Sequence, residues 1–276
     1  MRVVITGHTG FLGAELYNAF VQSFDTFGFA TSNGFSLTDA NTLEILPDKC
    51  DLVIHCAARM DVDVNNFVNS IDVNVRGSLH MAEYALDKGA KLIHISSIFA
   101  IEHNDNQYYD GYGASKKIAE DVLLQYAKLT KLDLLILRLP QLYDLEGRAK
   151  KSQAMLYRLI DQVTLQHKAV IYGELDPQRN YLYIKDIQEL ILELSSSPLS
   201  GCYNCPHPNS VSATKLVRRI AKVHKIEVPI EFLQHKENLK TIHVPTTNLI
   251  WEHVRSLPKN NILDDMSIII GRYREK

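Results

Sequence analysis

The first half of the 276-residue chain alternates short apolar runs with longer stretches of helical spacing. Arg2-Val-Val-Ile-Thr6 is β-branched and continuous, the pattern of a strand buried on both faces. Residues 2–6, 26–30, 51–55, 91–96 and 133–138 read as strands, and 11–22, 39–46, 66–88 and 112–129 as helices. That order predicts an α/β protein with a doubly wound parallel sheet. After Pro140 the rhythm loosens. Ser152 to His167, Ile184 to Ser196 and Ala213 to His224 have helical spacing, the last with Leu216, Val217, Ile220 and Val223 on its inner face. Ala169–Tyr172 reads as a short strand, and the tail from Ile226 mixes short strands with a final helix around Asp264 to Tyr273. There is no internal repeat, low-complexity tract or long linker.

Composition narrows the class. A net charge of −2 argues against a nucleic-acid binder, and Arg148-Ala-Lys-Lys151 reads as a solvated loop. No apolar run has transmembrane length and the first strand begins at Arg2, so a cytoplasmic protein without a membrane partner is expected. Four cysteines do not make a disulfide scaffold in a chain of this length. Cys50 and Cys56 bracket a buried strand and read as small core residues. Cys202-Tyr-Asn-Cys205 with His207 lacks a second pair at zinc spacing, and in an alternating strand the two thiols face opposite sides; no metal is expected.

Two stretches carry candidate chemistry. The first is Gly7-His-Thr-Gly10-Phe-Leu-Gly13, between the first strand and the first helix. Strand, glycine turn and helix in that order are the context of a phosphate-binding loop, with helix N–H groups facing the anion. The spacing is GxxGxxG, not the commoner GxGxxG. A glycine-rich turn without a ligand is the alternative. The second is Tyr112-Gly-Ala-Ser-Lys116. Tyr112 and Lys116 share a helix face. A nearby ammonium favours the phenolate, so the tyrosine pKa is expected to fall from its usual value of about 10. Such a tyrosine exchanges a proton with a substrate oxygen. Lys91-Leu-Ile-His-Ile-Ser-Ser97 ends in two serines at the sheet edge where doubly wound folds bind ligands. An amphipathic helix with a surface Tyr–Lys pair is the plainer reading.

Taken together, these motifs resemble the extended short-chain dehydrogenase/reductase family, which includes NAD(P)-dependent nucleotide-sugar epimerases, dehydratases and reductases. The resemblance covers nearly the whole chain. Val53-Ile-His-Cys-Ala-Ala58 looks like the family's fourth-strand motif beside the cofactor, and Asp72-Val-Asn-Val-Arg-Gly77 like the helix with a structural asparagine, here Asn74. Leu137-Arg-Leu-Pro-Gln-Leu-Tyr143 is similar to the segment that reaches the nicotinamide, and Arg179-Asn-Tyr-Leu-Tyr-Ile-Lys-Asp186 to one whose arginine grips the sugar-nucleotide diphosphate. Gly201-Cys-Tyr-Asn204 and Val211-Ser212 fit the later strand and helix start.

The resemblance implies a Rossmann-type domain over 1–145. Residues 146–276 form a smaller substrate lobe, some of whose elements return to the main sheet. It implies Ser97, Tyr112 and Lys116 as the catalytic set. The cofactor residues it implies are Gly7, Thr9, Gly10, Phe11, Leu12, Gly13, Cys56, Ala57, Ala58, Arg59, Asn74, Ser96 and Pro140, together with Tyr112 and Lys116. Ser97 and Arg179 would bind substrate. Arg179 in a structural ion pair with Asp176 or Asp186 is the alternative; Arg148 and Arg158 are candidates to share its task. A homodimer through the helices near 66–88 and 112–129 is a further implication, with Val68, Ile71, Val75 and Leu79 serving either that face or the core.

Cofactor and reaction can be narrowed. The second strand ends at Thr31-Ser32-Asn33, without the acid that holds a ribose 2′-hydroxyl. The choice leans to NADP over NAD, with Arg59 or Ser32 nearby, and with backbone around Ser36-Leu37 covering the adenine. After Ser97 the family's dehydratases carry an Asp-Glu pair. Here Ile98-Phe99 can move no proton. Glu102, His103, Asn104, Asp105 and Asp110 either line the substrate mouth or form plain surface. A keto-sugar reductase is favoured, with a 4-epimerase next and a catalytically silent NAD(P)-binding relative as the reading from another class.

Overall fold

The computed structural model describes residues 1–60, 65–101 and 110–274. Its centre is a six-stranded parallel sheet. The strands are β1 (Arg2–Thr6), β2 (Asp25–Phe29), β3 (Leu52–His55), β4 (Lys91–Ser97), β5 (Leu134–Leu139) and β6 (Gly201–Asn204), in the order β2-β1-β3-β4-β5-β6. The order reverses between β1 and β3, and ligands bind beyond the carboxyl ends of strands at such a switch point. β6, contributed by the second half of the chain, closes the sheet beside β5.

Both sheet faces are apolar, which is why these strands read as continuous runs. Val3, Ile5, Ile54, Ile93 and Leu137 point to one side. There they meet Leu16 and Phe20 of α1 (Phe11–Phe20) and Ile187, Leu190 and Ile191 of the helix Ile184–Leu194. Val4, Val53, Leu92 and Ile136 point to the other, against Met81, Ala82 and Ala85 of α2 (Gly77–Lys88) and Leu123 of α3 (Gly111–Thr130). The remaining chain builds a third apolar cluster from α4 (Ala154–Gln166), the helix Ala213–His224 and the helix Ile262–Arg274. Ala169–Tyr172 pairs there with Ile230–Leu233.

Two stretches differ from the sequence expectation. The helix expected over 39–46 is a single turn, Ala40–Leu43, capped by Asp39. The helix expected over 66–88 contains a π-helical turn, Asp72–Arg76, between Phe67–Ile71 and α2. Among the described residues, no helix is long and apolar enough to cross a membrane, no cluster of His, Cys, Asp and Glu can hold a metal, and the four cysteines are free thiols.

Candidate active site

The turn after β1 and the first turn of α1 form one wall of the site. Gly7 has φ +70°, a conformation that L side chains rarely adopt. A Cβ on Gly13 would lie 2.1 Å from the Gly7 carbonyl oxygen, so only glycine lets α1 start this close to the strand end. Gly10 occupies the N-cap position without a side-chain cap, and the first turn holds no acidic residue. Such a helix N-terminus can accept an anion.

The opposite wall comes from β4 and α3. Asp110 starts α3 by accepting from the backbone N–H groups of Tyr112 (3.1 Å) and Gly113 (3.3 Å). It is therefore a helix cap, and its other oxygen lies 3.5 Å from Lys240 Nζ. Glu102, His103, Asn104 and Asp105 lie outside the described residues. Ser97 Oγ accepts from the Phe99 N–H at 3.1 Å, an arrangement that leaves the hydroxyl proton for a substrate oxygen. Lys116, 2% exposed, donates from Nζ to the Ile95 carbonyl at 2.8 Å.

Between the walls lies a cavity of about 300 Å³. Of the residues expected at the site, Gly7, Gly10, Phe11, Leu12, Gly13, Cys56, Ala58, Ser96, Ser97, Tyr112, Lys116 and Pro140 line it. Thr9 lines an adjoining cavity with Gly10 and Phe11. Ser32 reaches Thr9, Oγ to Oγ1 at 3.2 Å. Ser36 and Leu37 use their backbone groups internally. Thr42 engages both the N–H and the carbonyl of Ser36, and the Leu37 carbonyl accepts from His80 Nδ1. Asn74 braces the site from behind. Its amide exchanges two hydrogen bonds with the Arg59 backbone and donates to Ser115 Oγ, which donates to the Tyr112 carbonyl.

His55 is fixed as one tautomer. Ser78 Oγ donates to the Asn74 carbonyl at 2.7 Å and so accepts from His55 Nε2, leaving Nδ1 to accept from Thr6 at 2.6 Å. Burial pushes this imidazole down to about 3, so it stays neutral.

Three expectations change. Tyr112 is not an activated phenol here: burial, and then the Asp110 carboxylate, push it up to about 12. The Lys116 ammonium is engaged by the Ile95 carbonyl and is itself pushed down to about 8 by burial. Arg179, 4% exposed, turns Nη1 to the carbonyls of Gln178 (2.9 Å) and Lys240 and is not part of the cavity lining. Asp176 instead accepts from Thr214, and Asp186 from Asn260. Arg148 pairs with Glu15 and Asp144, and Arg158 lies over the Tyr172 ring.

Sequence reasoning placed the Leu137–Tyr143 segment at the site without singling out Gln141, and missed Ser152 and Gln153; these three complete the cavity, and Gln141 Nε2 donates to Gln153 Oε1 at 2.6 Å. It also missed Glu120 and Arg138. The available signals were a carboxylate one turn beyond Lys116 and an arginine inside an apolar strand, both of which call for a buried partner.

The model of the NAD dependent epimerase/dehydratase family matches residues 3–205, most of the chain and all of the residues lining the cavity. This chain belongs to the NAD-dependent epimerase/dehydratase family. It is an extended short-chain dehydrogenase/reductase, as the glycine spacing and the Tyr–Lys pair lead one to expect. UDP-glucuronic acid decarboxylase 1 of Arabidopsis thaliana is 22% identical in an alignment covering 100% of this chain and 70% of that protein. Among solved structures of the family fold, UDP-glucose 4-epimerase of Thermus thermophilus, in complex with NAD, superposes with a TM-score of 0.77 at 20% identity and 99% coverage of both chains. RMD of Pseudomonas aeruginosa, complexed with NADPH, gives 0.78 at 18% identity and the same coverage.

Proposed function

We propose that this family member reduces a keto-sugar nucleotide with NADPH. The observation that carries the reading is the meeting of Ser97, Tyr112 and Lys116 on one wall of a cavity whose other wall is the glycine loop. Gly7, Gly10 and Gly13 fit a dinucleotide, because a side chain at Gly7 or Gly13 would strike backbone and the uncapped helix start offers N–H groups to its diphosphate. The cofactor, when bound, supplies the hydride. The protein's residues do the rest. Ser97 donates its hydroxyl to the substrate carbonyl oxygen. Tyr112, fully protonated at neutral pH, gives its phenolic proton to that oxygen as carbon gains hydride, and the Lys116 ammonium faces the phenolate left behind. Tyr112 then regains a proton from solvent. A tyrosine held as an acid suits the reductive direction. Ile98 and Phe99 supply no group for dehydration.

The preference for NADP rests on the end of β2, where the turn Thr31–Asn33 carries no carboxylate and Ser32 and Thr9 place two hydroxyls together. Arg179 as the diphosphate ligand rests only on the resemblance of its segment, and the role requires its side chain to leave the Gln178 and Lys240 carbonyls and turn to the cavity. A homodimer through the helices flanking Asn74 and α3 rests on the exposed apolar side chains Phe67, Val68 and Ile118. The test of function is oxidation of NADPH by nucleotide-linked 4-keto sugars. A 4-epimerase is the second reading, favoured by the family the chain belongs to. It would use Tyr112 in both directions and retain its cofactor, so stoichiometric NAD released by heat or acid would select it. A protein that binds NADPH tightly but turns over no keto-sugar nucleotide would be the silent relative.

A further inference from the structure

Beneath the cavity floor lies a charged group of side chains that the reduction itself does not use. Glu120 is fully buried, one turn beyond Lys116 on α3. Its carboxylate accepts three bonds from the Arg138 guanidinium on β5, Nε at 2.9 and 3.0 Å and Nη2 at 2.5 Å. It accepts a fourth from Ser96 Oγ at 2.5 Å. Ser96 stands between Ile95, whose carbonyl receives Lys116, and Ser97. The end of β4 is thus tied to α3 by two bonds one turn apart, and the tie runs through the residue next to Ser97. A buried carboxylate with a forked guanidinium on one side and an ammonium-bearing turn on the other is costly to assemble, and removal of one member leaves an unpaired charge. An arrangement of this kind beside a proton-transfer site is a candidate for tuning it.

We propose that Glu120, clamped by Arg138 and Ser96, is a positioning residue that supplies the counter-charge holding Lys116 as an ammonium beside Tyr112. The proposal rests on the reading of Lys116 as the cationic partner of Tyr112. Of the other groups around Lys116, Cys56 acts in the same direction as Glu120 but more weakly. His94 on β4 and His55 on β3 are buried and held neutral, Cys56 is a buried thiol pushed toward its neutral form, and Tyr112 is a protonated phenol. Cys202 on β6, also pushed toward the neutral thiol, lies beyond near Arg138. Burial works against the ammonium, and Glu120 is the largest opposing influence on it.

The test reads Lys116 directly in the full-length protein without cofactor, by NMR of lysines labelled at Cε and Nζ, with the Lys116 signal identified by its loss in Lys116→Met. Glu120→Gln keeps the shape and removes the charge. Its lysine midpoint should fall by on the order of one pH unit or more. The paired variant Glu120→Gln/Arg138→Met, which leaves no unpaired charge, should fall between Glu120→Gln and the parent. It also keeps the test readable if the single variant does not fold. Arg138→Lys, which preserves the charge, should leave the midpoint in place. A merely structural clamp predicts the same midpoint in every variant, and that result would overturn the proposal. Binding of NADPH by the parent protein is a separate readout. Its absence would remove the functional reading while leaving the lysine titration interpretable.

Discussion

Tyr112 illustrates how a residue's chemistry depends on what covers it. A tyrosine four residues from a lysine reads as an activated phenol, yet burial and the helix-capping Asp110 push it up to about 12. It therefore waits as an acid. Tyr112→Phe should lower turnover by at least about 100-fold while leaving NADPH affinity within a few-fold, since general acid catalysis contributes roughly that much. Steady-state rates beside a fluorescence titration check both halves. Lys116 gives a prediction about pH. Its folded-state value of about 8 lies below its ordinary one, so the unfolded chain binds the proton more tightly. Burial of this group opposes folding below pH 8, and the penalty is relieved as pH rises from there toward about 10.4. Lys116→Met should then be more stable than the parent at pH 7 by up to a few kcal/mol, with the gap shrinking by pH 10. Urea unfolding at the two pH values decides it, and a gap that widens with pH would contradict the assignment.

At the scale of elements, α3 is placed by its first three turns. Asp110 caps it, Ser115 ties it to Asn74, and Lys116 and Glu120 fasten it to β4. Asp110→Ala should cost about 1 kcal/mol through loss of the cap. It should also lower the Tyr112 pKa, because a carboxylate that disfavours the phenolate is gone. Denaturation and an ultraviolet phenol titration read the two effects separately. Much of this level was legible in the sequence. β1 and the helix Ala213–His224 fall on the residues expected, because an uninterrupted β-branched run and a clean inner stripe leave one reading. The π-helical turn at Asp72–Arg76 was not legible. It accompanies the bonds Asn74 makes to Arg59 and Ser115, and a periodicity count sees only neighbours along the helix. The Glu120–Arg138 pair was hidden for a related reason: its members are 18 residues apart, and only the crossing of α3 over β5 joins them. The residues of 102–105 belong to the expected mouth of the site but lie outside the described part.

At the scale of the molecule, the two parts of the chain meet at the glycine loop. Glu15 of α1 receives Arg148 and Lys185 from the second part, and Ser152 and Gln153 complete the cavity wall. The exposed patch at Val68 (73% exposed) makes a further prediction for the assembly. The protein should run as a dimer, and Val68→Asp should shift it toward monomer with the fold intact; a parent already monomeric at micromolar concentration would remove the proposed interface. The most direct test of the account is the rate at which the purified protein oxidises NADPH when given a nucleotide-linked 4-keto sugar. Turnover that requires the sugar and collapses in Tyr112→Phe is the predicted result. Undiminished turnover in Tyr112→Phe, or tightly bound NAD with no net oxidation of added NADPH, would contradict the reductase reading.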